Sequence, residues 1–132
     1  MTEEELLALA ADTANALLHA DHGYPFGPEV DVWKFAGKVF LLTSTMAGPA
    51  RVTVKGDPED VTHLVEAYAE LERGYHMNKR HWLSVRAGAG IDSDLVADLV
   101  KNSYDLVAHS IPASRRPQAS PIVFSTGEPA RR

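Results

Sequence analysis

The side chains best suited to chemistry lie in one run of nine residues, Gly74 to Trp82, with the sequence GYHMNKRHW. The run contains two aromatic residues, two histidines, one asparagine and the cations Lys79 and Arg80. It lies in a window, residues 73–91, that has four basic residues and no carboxylate. An arginine can bind a phosphate through two parallel hydrogen bonds, and a lysine adds a compact charge. The run therefore indicates a binding loop for an anionic ligand.

Each polar side chain of this loop suits one part of a nucleic acid. The cations would contact phosphate, His76 and Asn78 would hydrogen-bond a base edge or a phosphate oxygen, and Tyr75 and His81 would stack. Such contacts give weak binding that falls steeply with salt, because each one releases condensed counterions. The predicted nucleic-acid or anion site comprises Arg73, Tyr75, His76, Asn78, Lys79, Arg80, His81 and Arg86.

Other uses of the same loop remain open. It would equally suit a protein–protein or small-anion binding module, and Tyr75 and Trp82 could instead be core anchors while the polar groups satisfy the loop backbone. A third alternative is an enzyme that uses His76 or His81. The chain has no nucleophile elbow, phosphate-cradling glycine loop or paired carboxylate motif. We therefore predict no catalytic residues and no cofactor.

A metal centre is not predicted either. His76 and His81 have a spacing compatible with a zinc pair, and His63 precedes them. The chain has no cysteine to complete such a site, and carboxylates are absent from the neighbouring sequence. The absence of cysteine also excludes a disulfide framework.

The charge distribution is uneven along the chain. The formal net charge is -5, and residues 1–72 hold 13 acids against 4 bases. An acidic protein has little general affinity for nucleic acid. A local basic surface can still meet a polyanion if the acidic surface faces elsewhere. The position of the carboxylates relative to the loop is therefore the structural question that decides this hypothesis.

The pattern of elements predicts one α+β domain over residues 1–111. Apolar residues at helical spacing indicate a helix that begins after Thr2 and ends near His22, a second after Asp57 and a third capped by Asp92 or Ser93. Strands are predicted between the first two helices and again from Trp82, which gives the order α-β-β-β-α-β-α. Sequential hairpins imply an antiparallel sheet of four or more strands with helices packed on one face. Tyr24 and Phe26 are expected to pack inward from an ordered loop.

The last residues, 112–132, are rich in proline and arginine and are predicted to be a mostly extended tail. No apolar run approaches the length of about 20 residues that spans a bilayer. The opening Thr-Glu-Glu-Glu after Met1 is the reverse of a cationic signal peptide. We therefore expect a cytoplasmic protein with no membrane partner. The oligomeric state is not predicted.

Several motifs together resemble one family. Residues 24–30 (YPFGPEV), 32–40 (VWKFAGKVF), 74–82 (GYHMNKRHW) and 102–107 (NSYDLV) occur in the order found in the MmcQ/YjbR family of small bacterial proteins. The similarity extends from the first helix to about Ile111. It implies a fold similar to CyaY, the bacterial frataxin, and a DNA-binding role of the kind attributed to family members by fold analogy. No catalytic residue set accompanies the family.

Overall fold

The computed structural model describes residues 1–46, 48–74 and 78–116. Three α-helices and six β-strands account for most of this part of the chain. The helices are α1 (Glu3–Asn15), α2 (Pro58–Ala67) and α3 (Ser93–Ser110), and a short 3₁₀ helix (Ala113–Arg115) follows α3. The strands are β1 (Ala20–Gly23), β2 (Val30–Phe35), β3 (Lys38–Ser44), β4 (Arg51–Lys55), β5 (Leu71–Arg73) and β6 (Trp82–Val85).

All six strands form one antiparallel sheet in the order β1-β2-β3-β4-β6-β5. This confirms the predicted α+β class and the antiparallel sheet of four or more strands. The sequence did not predict the two outer strands, β1 and β5. Both are short edge strands with mostly polar side chains, so neither shows the apolar alternation by which a strand is recognised.

The first helix starts as predicted and stops earlier. Thr2 and Glu5 form the expected capping box, with 2.8 Å from the Thr2 backbone nitrogen to Glu5 Oε1. The helix ends at Asn15, and His19 then adopts a positive φ of 59° that turns the chain into β1. The prediction that the helix runs to about His22 was therefore wrong. Residues 20–23 instead form β1, the strand at one edge of the sheet.

One face of the sheet carries the core. Trp33, Leu41, Val54 and Leu83 are paired in succession from β2 to β6, and all are buried in the cluster that also includes residues of α1 and α3. Burial of this apolar row against the helices supplies most of the driving force for folding. The sheet thus holds its strand ends, and the loops attached to them, in fixed positions.

The other face carries a mixed row. Val32, Leu42, Thr53, Ser84 and Glu72 are paired in succession across five strands. Thr53 Oγ1 and Ser84 Oγ lie 2.7 Å apart and are both buried, so the two hydroxyls satisfy each other. Polar groups on this face are therefore part of the sheet structure.

The loop between β1 and β2 differs from its prediction. Tyr24 and Phe26 are 56% and 66% exposed, so they do not pack inward. Gly27, at φ 111°, turns the chain between them and β2, and the Gly27 backbone nitrogen donates to the Tyr24 carbonyl at 3.2 Å. The aromatic content of this segment suggested burial, whereas the tight turn directs both rings to the surface.

Candidate anion-binding surface

The polar loop before β6 closes on itself through Asn78. Its backbone carbonyl accepts hydrogen bonds from the nitrogens of His81 and Trp82, at 3.2 and 3.0 Å. Its side-chain oxygen accepts from the Arg80 nitrogen at 2.9 Å. Asparagine suits this position because its short side chain bonds to the backbone two residues on. The Asn78 side-chain oxygen therefore shapes the loop.

Both ends of the loop are anchored to the sheet. The His81 carbonyl accepts from the Gly56 nitrogen at 2.8 Å, immediately after β4. The Gly74 nitrogen donates to the Trp82 carbonyl at 2.7 Å, and a β-carbon on Gly74 would lie 2.6 Å from that of Trp82. Only glycine permits this approach of the two strands. The glycine that opens the run is therefore required by packing against the tryptophan that closes it.

Arg73 ties the loop to α2. Its guanidinium donates to Thr62 Oγ1 at 3.0 Å and to the Lys79 carbonyl at 3.2 Å. These bonds hold the guanidinium in place while leaving its positive charge uncompensated by any carboxylate among the described residues. The arrangement positions a cation beside the exposed side chains of Lys79 and Arg80.

A concave surface lies between this loop and α2, which we call the basic groove. It has a volume of about 410 Å³ and is lined by Pro58, Glu59, Thr62, His63, Arg73 and Arg80. Two arginines and a histidine face one carboxylate there, so the lining favours an anion. A hydroxyl and an imidazole add hydrogen-bonding groups.

The contribution of α2 to this groove was not predicted from the sequence. Thr62 and His63 lie one turn beyond Pro58 and Glu59, so the four residues share one side of the helix. That side is the polar one of an amphipathic pattern, which sequence inspection treats as solvated surface. The sequence places Thr62 and His63 on the same side of α2 as Pro58 and Glu59. Only the tertiary structure shows that this side of the helix lies beside Arg73.

Two of the predicted site residues lie outside the described part of the chain, namely Tyr75 and His76. Five others lie near one another between the end of β5 and the start of β6: Arg73, Asn78, Lys79, Arg80 and His81. His81 is half-buried in the turn, and the other four are exposed.

Arg86 lies apart from this group. It follows the last residue of β6, so the length of that strand, roughly 13 Å, separates it from the loop. Its Nε lies 3.1 Å from Glu72 Oε2, and its Nη2 donates to the Ala69 carbonyl at 2.9 Å. Glu72 also pairs with Arg51 at 3.3 Å. Arg86 therefore belongs to an ion-pair network at the far end of the sheet.

The two ends of the sheet differ in charge. Lys38 begins β3, Lys55 ends β4 and Arg73 ends β5, and the strand pairing places all three at the end that carries the loop. We call this end the basic end. None of these cations has a carboxylate partner among the described residues.

Carboxylates gather at the opposite end. Glu3 of α1 accepts there from the Ala50 nitrogen at 2.9 Å, and Glu70 accepts from the Gly90 nitrogen at the same distance. The arginines of that end, Arg51 and Arg86, are both paired with Glu72. Glu3, Glu70 and Glu72 thus form their bonds away from the loop, whereas Asp57, Glu59 and Asp60 begin α2 directly after Gly56, which is bonded to the loop.

This fold and this loop define a class of small α+β proteins with an antiparallel sheet and a histidine- and cation-rich loop before a central strand. The chain matches the profile of the YjbR family over residues 15–106, which include the four motifs up to Leu106 and the whole sheet. The chain belongs to the YjbR family.

Known relatives agree with this assignment. The chain is 37% identical over 111 residues to the uncharacterized protein YbdF of Escherichia coli O157:H7, covering 84% of this chain and 91% of YbdF. It is similar to the crystal structure of Deinococcus radiodurans protein DR2400, domain DUF419, with 27% identity and a TM-score of 0.71, covering 86% of this chain and 84% of that one. A Pseudomonas syringae crystal structure shares the fold at 21% identity and a TM-score of 0.65, covering 81% and 99% of the two chains.

No helix in the described residues is long and apolar enough to cross a membrane. Within the same residues, no three histidine or acidic side chains converge in a way that would hold a metal ion. The surface features that stand out are therefore the basic groove and the cations of the basic end.

Proposed function

We propose that the chain binds DNA weakly, through phosphate contacts at the loop that joins β5 to β6. The observation that carries this proposal is the state of Arg73, Lys79 and Arg80. They lie together and exposed at the basic end, with no carboxylate partner in the described part of the chain. Cations of this kind contribute to polyanion binding because contact with phosphate releases counterions.

The location of the carboxylates supports the same proposal. A net negative charge repels DNA only where the acidic side faces it, and exposed charges beyond about 10 Å are largely screened at moderate salt. Glu70 lies at the far end of the sheet, where it accepts from the Gly90 nitrogen. Glu72 adjoins Arg73 in β5, but it lies on the opposite face of the sheet and is paired with Arg51 and Arg86. Glu59 is the one carboxylate of the groove lining, and it limits the affinity.

The test is fluorescence anisotropy of a labelled DNA duplex at low salt and in rising salt. Three phosphate contacts would make log K fall with log salt at a slope of about -2 to -3. We expect Lys79→Ala/Arg80→Ala to remove most of the binding. The control Lys34→Ala/Lys101→Ala removes the same charge from surfaces outside the groove and should retain it. Equal affinities for the two double variants would contradict the proposal.

A small anion is the second candidate, and the concavity of the basic groove favours it. Arg73 is already held by two hydrogen bonds, so it would meet a phosphate without further ordering. Pyrophosphate that binds and protects the protein against heat, together with no DNA affinity at low salt, would favour this alternative. The variant Arg80→Ala should then abolish the protection.

A further inference from the structure

A second group of cations lies at the basic end. It is next to the turn between β2 and β3, away from the loop that precedes β6. Lys38, Arg115 and Arg116 line a depression of about 390 Å³ together with Ala36, Ile111 and Ser114. We call it the hairpin groove, because it adjoins the turn between β2 and β3. Among the described residues its lining contains no carboxylate, whereas the lining of the basic groove contains Glu59.

The turn itself places Lys38 at this groove. Ala36 and Gly37 have φ values of 50° and 84°, the geometry of a two-residue hairpin turn of type I′. Alanine in this region is strained, so the tight turn is maintained by its surroundings. A small side chain at position 36 also leaves the groove open.

Part of the basic character has a structural role. Arg116 follows the carboxyl end of α3, where cations interact favourably with the helix dipole, and its Nε donates to the Ile111 carbonyl at 2.8 Å. A favourable interaction with a helix dipole does not account for Lys38, because Lys38 begins β3 and does not follow a helix. Lys38 and Arg115 are exposed and form no side-chain hydrogen bond or ion pair among the described residues.

The spacing of the two grooves suits a phosphate backbone. Lys38 begins β3 and Arg73 ends β5, and two strands separate them. Neighbouring strands are about 4.8 Å apart, so the two cations are separated by roughly 14 Å. Each DNA strand presents one phosphate per 3.4 Å of helix axis, and this separation therefore corresponds to roughly four phosphates.

We infer that the hairpin groove is a second phosphate contact, and that one duplex spans both grooves across the basic end. This inference rests on the proposed DNA binding and specifies its ligand as an extended phosphodiester backbone, which a single phosphate group cannot replace. Lys38 and Arg115 make the second contact, and Lys79 and Arg80 make the first. The two contacts are far enough apart for their effects to be additive.

The experiment measures the affinity of a labelled duplex of about twelve base pairs for the full chain, at two salt concentrations that differ fourfold. Each lost phosphate contact lowers the salt slope by about 0.9, so Lys38→Ala/Arg115→Ala should lower it by about 1.8. The wild-type protein should then lose roughly tenfold more affinity than this variant over the fourfold rise in salt. Neither side chain makes a bond among the described residues, and equal thermal unfolding midpoints would verify that the variant folds.

The control variants separate the outcomes. Lys101→Ala removes an exposed cation of α3 that lines neither groove, and its salt slope should stay at the wild-type value. If Lys38→Ala/Arg115→Ala behaves like this control while Lys79→Ala/Arg80→Ala weakens binding, the hairpin groove is not a contact and the proposed function stands. If the duplex does not bind the wild-type protein at low salt, the proposed function and this inference both fail.

Discussion

The Ser103 hydroxyl donates a hydrogen bond of 2.6 Å to the carbonyl oxygen of Phe40, 63 residues earlier in the chain. The pairing of β2 with β3 is irregular at this point, since Trp33 pairs with Leu41 and Lys34 with Val39. Phe40 is therefore the extra residue of a β-bulge, and a bulge leaves backbone groups without a ladder partner. Ser103 also accepts from the Lys55 nitrogen at 2.8 Å. One hydroxyl of α3 thus joins two strands at the basic end.

Ser103→Ala should destabilise the protein by about 2 to 4 kcal/mol, because it leaves a buried carbonyl and a backbone nitrogen unpaired. Ser103 is fully buried, so water cannot replace the hydroxyl without rearrangement. Urea denaturation measures the effect. Ser110→Ala is a matched control on the same helix, where the residue is exposed and its hydroxyl donates, within the described part of the chain, to the Val107 carbonyl alone. Similar losses for the two variants would refute the bridging role.

The strand β3 could be predicted from the sequence, whereas the bulge within it could not. The apolar run from Val39 to Leu42 is typical of a strand inside a sheet, and β3 does lie between β2 and β4. The run did not indicate the bulge at Phe40, which interrupts the alternation by which successive residues point to opposite faces of the sheet.

The site shows the same division. The sequence predicted a binding loop from the types of its residues, and it grouped Arg86 with that loop because the two are close in the chain. A strand intervenes, however, and strand direction carries Arg86 to the opposite end of the sheet. Thr62 was overlooked for the converse reason, since it is distant in sequence but bonded to Arg73. Contacts that depend on strand pairing are not visible in local patterns.

Gly74→Ala should destabilise the protein by roughly 1 to 3 kcal/mol, as expected of an added methyl group in a tightly packed place. The new β-carbon would lie 2.6 Å from the Trp82 β-carbon and 3.1 Å from the Trp82 carbonyl carbon, so backbone would have to move. Gly23→Ala is the control, because nothing lies within 4 Å of a β-carbon there. Thermal unfolding of both variants measures the difference. A neutral Gly74→Ala would show that the two strands have room to separate.

The titration of Tyr104 should lower the free energy of unfolding at alkaline pH. Burial, and to a smaller extent the Asp105 charge, raises the pKa of Tyr104 from 10.0 to about 12. In the unfolded chain the phenol loses its proton at lower pH than in the folded one, so stability falls as pH rises from about 10 to 12. Below pH 10 the group contributes no pH dependence.

Urea midpoints of the wild-type protein and Tyr104→Phe at about pH 9 and about pH 11 measure this effect. The variant also loses the bond from Tyr104 to the Leu18 carbonyl, 2.7 Å long, and should be less stable than the wild type at about pH 9. The informative quantity is the change between the two pH values, which should be smaller for Tyr104→Phe. Equal changes would show that Tyr104 does not titrate abnormally.

Protonation of Glu70 should lower the free energy of unfolding at acidic pH. The Gly90 N–H bond, then its own backbone N–H, and the Arg86 charge to a smaller extent, lower the pKa of Glu70 below 4.5. A lowered pKa stabilises the fold above the unfolded value, and this contribution disappears as pH falls through the folded value. The carboxylate also contacts Gly88 and Gly90 so closely that a β-carbon on either would meet it at 2.4 or 2.9 Å. It therefore holds the glycine turn that leads into α3.

Glu70→Gln removes the charge while keeping a side-chain oxygen that can accept from the Gly90 nitrogen. We expect it to be less stable than the wild-type protein at neutral pH and to lose less stability than the wild type on acidification. Glu66→Gln, an exposed position on α2 with no side-chain bond in the described part of the chain, is the matched control. Denaturation midpoints at about pH 7 and about pH 3 provide the comparison. If Glu70→Gln loses as much stability in acid as the control, the carboxylate charge does not hold the turn, and the Gly90 bond alone maintains it.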